Sequence, residues 1–152
     1  MASEVDHTTQ VPLIALLDGA LHEFQAELHE RVHAAGYSDI RPGHGCVFGT
    51  IEEDGSRLTD LAGRANMTKQ SVGEAASDLE LRGYVERVPD PEDGRAKIIR
   101  LTDKGREAQA VGRRLIAELE ADWAERYGEE RVAALRDALE AVTAERFGAV
   151  PA

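Results

Sequence analysis

Four consecutive polar residues, Thr68-Lys69-Gln70-Ser71, stand directly ahead of an apolar series made of Val72, Ala75, Ala76 and Leu79. Their chemistry is recognition rather than bond making. A lysine ammonium takes a phosphate or a guanine edge, a glutamine amide carries the paired donor and acceptor that match adenine, and the two hydroxyls can bond phosphate oxygens. A second set stands downstream: Arg87, Asp93, Arg95 and Lys97. Arginine suits a narrow minor groove, where A·T-rich stretches concentrate negative potential, and Asp93 is expected to orient the Arg95 guanidinium by a bidentate contact. Arg87 and Lys97 are expected to reach phosphate. Each residue also has a plain surface explanation: most helices begin with exposed polar residues, and an exposed Asp-Arg pair contributes little to stability.

These side chains need a helix and a hairpin to hold them. Thr68 is an N-capping type of residue and Gly83 a C-capping one, so the span between them predicts a helix of about four turns. Upstream, Leu58-Thr59-Asp60-Leu61-Ala62-Gly63-Arg64-Ala65 has the composition of a short helix, and Asn66-Met67 makes a tight connection into the next. Downstream, Val85-Glu86-Arg87-Val88 and Lys97-Ile98-Ile99-Arg100-Leu101 are β-branched runs, separated by Pro89-Asp90-Pro91-Glu92-Asp93-Gly94-Arg95-Ala96 with its prolines and Asp-Gly pair. Helix, turn, helix and hairpin in that order make a winged helix. The first turn of its second helix is the part that enters a DNA major groove.

At these residues the chain resembles the MarR-type transcriptional regulators, whose wing commonly reads Asp-Pro-x-Asp-x-Arg followed by Leu-Thr and a glycine. Here these stand as Asp90-Pro91-Glu92-Asp93-Gly94-Arg95, Leu101-Thr102 and Gly105. The resemblance implies a winged helix-turn-helix fold, mainly α with a small β-hairpin wing, in which long N- and C-terminal helices form a dimerisation layer. It implies a homodimer on a palindromic double-stranded DNA operator, and release from or recruitment to DNA by a small-molecule effector, often an anionic aromatic or phenolic compound. Where the family often carries Ser-Arg after its Gln-Ser-Val run, this chain has Gly73-Glu74, and Asp78 falls where a basic residue is common. A glycine inside a helix costs about 1 kcal/mol relative to alanine, and an acid near phosphate is repulsive.

Composition bounds the remaining classes. A chain of 152 residues, 42% hydrophobic and 31% charged, is expected to fold as one globular domain with a real core. The start, Met1-Ala2-Ser3-Glu4-Val5-Asp6-His7, lacks the basic and apolar stretches of a signal peptide, no apolar run has the length of a membrane span, and the one cysteine, Cys46, has no partner for an internal disulfide. A cytoplasmic address follows as an expectation. The net charge of -11 is unfavourable for a nucleic-acid binder, but it is unevenly distributed. From Arg57 to Arg106 ten basic residues face nine acidic ones, whereas the rest of the chain holds eight basic against twenty acidic.

The flanking segments read as helices. Ile14, Leu17, Leu21, Phe24, Leu28 and Val32 draw one stripe along a helix from Val11 to about Ala35, roughly 37 Å long and longer than so small a domain covers with its own core. Pairing with a second subunit is the natural remedy. A second helix is expected from Pro42 to about Asp54, then a turn at Asp54-Gly55 and a short strand, Ser56-Arg57-Leu58, against the wing. Thr102 caps a third long helix with Val111, Leu115, Leu119 and Trp123 to Tyr127, and after Gly128 a last helix carries Val132, Leu135, Leu139 and Val142. The first and last helices are expected to meet in one layer. The division is therefore a flexible segment 1–10 and a single MarR-like domain 11–152, with 11–54 and 103–147 as the dimerisation layer and 56–102 as the winged-helix lobe.

Candidate effector-binding residues are His22, His29, His33, Tyr37, Arg41 and His44, around the end of the first helix and the start of the second. His29 and His33 share a helical face, but no Cys-rich or further His pattern completes a ligand set, and no metal or cofactor is expected. Cys46 is better explained by packing than by redox sensing. Gly43-His44-Gly45-Cys46 lacks the preceding strand and the Lys-Ser/Thr pair of a phosphate-cradling loop, and there is neither a nucleophile elbow nor a carboxylate pair, so no enzyme is expected. Two functions remain open: a sequence-specific DNA-binding regulator, by resemblance a ligand-responsive repressor, and a winged-helix protein-interaction module with weakened DNA binding.

Overall fold

The computed structural model describes residues 10–147, so the expected flexible segment 1–10 lies, but for Gln10, outside the described residues. Helix α1 (Leu13–Ala34) is followed by a 3-10 turn (Pro42–His44), α2 (Gly45–Phe48), α3 (Leu58–Ala65), α4 (Lys69–Leu81), the antiparallel strands β1 (Val85–Pro89) and β2 (Lys97–Leu101), α5 (Asp103–Tyr127) and α6 (Glu129–Phe147).

Local chemistry fixes the ends of the central elements. Asn66, at φ 52°, takes the left-handed conformation that closes α3 and turns the chain within two residues into α4. Thr68 caps α4 by accepting from Ser71 N–H at 3.1 Å, and its hydroxyl donates to Ser71 Oγ at 2.9 Å. Gly83, at φ 82°, ends that helix, and the chain runs straight into β1. The hairpin pairs Val85 with Leu101 and Pro89 with Lys97. Thr102 then caps α5 through Gly105 N–H at 3.1 Å and donates to Gly83 O at 2.6 Å.

Val72, Ala76 and Leu79 of α4 meet Leu61 of α3, Ile99 and Leu101 of β2, Val47, Ile51 and the buried Tyr84 in one core. The Tyr84 hydroxyl donates to Asp39 Oδ1 at 2.6 Å, which pins the segment after α1 to the lobe. Burial pushes the Tyr84 phenol up, and the bond from Tyr84 holds the Asp39 carboxyl below the usual carboxylate range. The start of α5 touches the same core through Ala108. Gly105 lies so close to the Tyr84 backbone that a Cβ there would sit 2.0 Å from Tyr84 O. The glycine of the Leu-Thr-x-x-Gly run is thus required by close approach of two backbones.

Three expectations need correction. The second helix stops at Phe48 rather than near Asp54: Gly49 and β-branched Thr50 follow, Thr50 turns its hydroxyl back onto Cys46 O, and Ser56 Oγ accepts from Glu52 N–H. The strand expected at Ser56-Arg57-Leu58 is one residue, since Ser56 bridges Ile99 while Arg57 is already the N-cap of α3. Residues 37–51, grouped with the helical layer from sequence, instead contribute Tyr37, Ile40, Val47 and Ile51 to the winged-helix core or its rim.

The helical layer is built on α5, which packs against both α1 and α6. Glu27 accepts from Arg126 at 3.0 Å to each carboxylate oxygen and from Trp123 Nε1 at 3.2 Å, Arg31 donates to Asp122 at 2.6 Å, and Phe24 meets Trp123 edge to face at 5.2 Å. Arg126 first, then Trp123, holds the Glu27 carboxyl below its ordinary value. These contacts account for the C-terminal half of the α1 stripe. Its N-terminal half is uncovered: Ile14 is 79% exposed and Leu21 56%, while on α6 Val142 is 81% exposed. The first and last helices therefore join through α5 and leave apolar surface outside. Among the described residues, no helix is long and apolar enough to cross a membrane.

Candidate nucleic-acid interface

The outer face of α4 forms an open groove lined by Lys69, Gln70, Gly73, Glu74, Ser77, Asp78 and Leu81, flanked by Leu58 of α3 and Arg87 of β1. These α4 positions recur at helical spacing, opposite to Val72, Ala76 and Leu79 in the core, so burial of one face is what presents the other. Lys69 and Gln70 are exposed on its first turn, where the sequence placed them. The Gln70 amide rests on Glu74 Oε1 at 3.3 Å, a long contact on an exposed face that leaves the amide able to turn elsewhere. Thr68 and Ser71 hydroxyls are engaged with each other in the helix cap.

The wing differs in detail from expectation. Asp93 does not hold the Arg95 guanidinium; its Oδ1 accepts from the Arg95 backbone N–H at 3.1 Å, the short-range turn contact that Asp makes before a tight bend. The strong pair at the wing is another one, Asp90 with Arg57, whose Nε donates to Oδ2 at 2.7 Å. Asp90 is buried, and the backbone N–H of Glu92 first and the Arg57 guanidinium next hold its carboxyl below the usual range. Arg57 rises correspondingly beside Asp90. This pair ties the base of the wing to the start of α3. Arg87 is also committed: it donates to Glu80 Oε1 at 2.7 Å and Ser77 Oγ at 3.1 Å, clamping β1 to α4 instead of projecting toward phosphate.

The ion pairs sort the lobe's cations. Arg57, Arg64, Arg82, Arg87, Arg100 and Arg106 each have a carboxylate partner, and Lys104 donates to Arg82 O at 2.8 Å and lies over the Tyr84 ring. Among the described residues of the lobe, Lys69, Arg95 and Lys97 are left with neither an ion-pair nor a hydrogen-bond partner for their charged groups. All three are exposed, one at the start of α4 and two on the wing.

A second feature is a pocket of about 280 Å³ between the helical layer and the lobe. Gln25, Leu28, His29 and Val32 come from α1, Ile40 to Gly49 supply a second wall that includes Arg41, Pro42 and Phe48, and Gln109, Gly112, Arg113 and Ile116 come from α5. Of the six sequence candidates, His29 and Arg41 line it. Burial, then His33, lowers the His29 pKa. His33 lies against His29 with ring centroids 4.0 Å apart and the rings tilted by 54°, and approaches Ile40 O at 3.3 Å from outside the lining, His22 is exposed on α1, and Tyr37 packs on the lobe core. His44 is buried and turned away toward α4. Sequence reasoning missed Gln25, Gln109 and Arg113; the signal was the spacing Gln109, Gly112, Arg113, Ile116, a second face of α5 beside the Leu115–Leu119 stripe. Cys46 is half-buried, donates to Gly43 O at 3.1 Å, and burial pushes its thiol up, which disfavours a reactive thiolate. No group of three metal-ligating side chains is brought together among the described residues.

Residues 38–96 match the sequence model of the MarR family, a stretch that includes α3, α4 and most of the hairpin. No curated protein matches the chain by sequence. The fold is shared with solved MarR-family transcriptional regulators. The reduced form of MarR from E. coli superposes with a TM-score of 0.75 at 21% identity, covering 88% of this chain and 97% of that one. A MarR-family transcriptional regulator from a Rhodococcus species gives 0.70 at 19%, covering 91% and 99%. CouR from Rhodococcus jostii, bound to p-coumaroyl-CoA, gives 0.68 at 20%, covering 90% and 93%.

Proposed function

We propose that this chain, which carries the MarR family signature in residues 38–96 on a MarR-type winged-helix fold, is a cytoplasmic, sequence-specific transcriptional regulator that binds an inverted repeat of double-stranded DNA as a homodimer. The single observation that carries the reading is the sorting of charge. In a protein of net charge -11, the lobe's cations whose charged groups have no partner, Lys69, Arg95 and Lys97, lie on the helix start and hairpin that a winged helix applies to DNA. The exposed apolar residues of α1 and α6 support pairing of two copies, which would set the two recognition helices about one DNA turn apart.

Repression relieved by a small molecule is the regulatory half of the proposal. The pocket between α1, α5 and the lobe has a mainly apolar lining that includes Arg41 and Arg113, a combination that suits an anionic aromatic or phenolic acid. That CouR is bound to p-coumaroyl-CoA is in keeping with this class. The alternative, a winged helix given over to protein binding, draws on Leu81, 88% exposed beside Glu74 and Asp78 on α4.

Salt separates the two. Fluorescence anisotropy with the DNA upstream of the chain's own gene, against scrambled DNA, is expected to show selective binding that weakens steeply as salt rises. No selective binding at low salt, with and without an added anionic aromatic acid, would reject the regulator and favour the docking surface.

A further inference from the structure

The 3-10 turn Pro42–His44 has two sides. One borders the pocket through Arg41, Pro42 and Gly45. The other carries the His44 imidazole, 3% exposed, across to Asp78 in the last turn of α4. Arg41 backbone N–H donates to His44 Nδ1 at 3.0 Å. A donor facing Nδ1 leaves that nitrogen without a proton, so Nε2 carries the proton and donates to Asp78 Oδ2 at 2.6 Å. Asp78 also accepts from Arg82 Nε at 3.0 Å, and Arg82 first and His44 next keep its carboxyl below the usual range. A continuous hydrogen-bonded chain thus runs from the pocket wall through a buried ring to the recognition helix. It also gives Asp78 a role in a groove where an acid would otherwise only repel phosphate.

We propose that His44 and Asp78 are positioning residues that transmit occupancy of the pocket to α4. The proposal rests on reading the pocket as an effector site. A body lodged between α1, α5 and the turn displaces Arg41–Gly45, and the His44–Asp78 bond carries α4 with it, since a short bond to a buried, doubly bonded ring does not stretch to absorb the shift. Coupling of this kind requires that the occupant favour one position of the turn over the other.

The test needs no knowledge of the effector. Gly112 of α5 lines the pocket, and a Cβ there meets nothing within 4 Å, so Gly112→Phe installs a tethered aromatic occupant and Gly112→Ala controls for the helix itself. DNA affinity is measured for these variants in three backgrounds: unchanged, Asp78→Ala, and Asp78→Asn, which keeps an oxygen to accept from His44. Gly112→Phe is expected to change affinity about tenfold beyond Gly112→Ala, a typical coupling, and to lose that effect with Asp78→Ala but keep most of it with Asp78→Asn. An equal effect in the Asp78→Ala background overturns the proposal, as does no effect in the unchanged one. Amide hydrogen exchange across Lys69–Leu81 provides a readout free of DNA: Gly112→Phe should alter it unless Asp78 is replaced by alanine. If the protein binds no DNA selectively, the regulator reading fails, and the exchange comparison alone still decides whether pocket and helix are coupled.

Discussion

Replacing Arg95 by alanine isolates the electrostatic part of the proposed DNA recognition. The lobe has three cations whose charged groups have no partner among its described residues, Lys69, Arg95 and Lys97, hence six in the proposed homodimer on an inverted repeat. At about 0.9 counterion released per neutralised phosphate, the logarithm of affinity should fall with the logarithm of salt with a slope of about −5. Arg95→Ala removes two of the six and should make the slope shallower by about 1.8. Between 1 M salt, where this contribution vanishes, and 0.1 M, that difference grows to a loss of up to about sixty-fold in affinity. Arg87→Ala is the internal control: its guanidinium is already held by Glu80 and Ser77, so the slope should change less. The assay is anisotropy over a salt series, with circular dichroism to verify that both variants fold. An unchanged slope for Arg95→Ala, or an equal change for Arg87→Ala, would refute the assignment of free and committed cations.

Two glycines in helices should respond oppositely to the same substitution. A Cβ at Gly105 would lie 2.0 Å from Tyr84 O, so Gly105→Ala should destabilise by about 2 kcal/mol or more, whereas at Gly73 the nearest atom is Leu58 Cδ2 at 3.5 Å and alanine should stabilise by up to about 1 kcal/mol. Urea denaturation at fixed protein concentration measures both, and a neutral Gly105→Ala would contradict the close approach. Acid stability should depend on Asp90. Because its folded pKa is depressed, its contribution is complete above the ordinary carboxylate value of 3.8 and is lost as pH falls through the lower folded value. Asp90→Asn should therefore lower stability at neutral pH and flatten the acid limb of a stability–pH profile; a parallel limb would show that Asp90 does not govern it.

Much of the winged helix was legible in the sequence because its signals are local. Thr68, Asn66, Gly83 and Thr102 each set the backbone within a few residues of themselves, and the two β-branched runs on either side of a Pro- and Gly-containing turn leave a hairpin as the natural outcome. The sequence likewise set the exposed start of α4, since burial of Val72, Ala76 and Leu79 turns Lys69 and Gln70 outward. What only the tertiary structure decided were the partners of charges and the walls of the pocket. Arg57 meets Asp90 across 33 residues and His44 meets Asp78 across 34, distances over which composition and periodicity carry no pairing information. Asp93, close in sequence to Arg95, found a backbone N–H instead of the guanidinium, because a tight turn brings the amide nearer than the far end of a flexible side chain. The pocket needed α1, the segment after it and α5 to converge, and that convergence follows from packing of side chains over long separations, which no single stretch of the chain encodes.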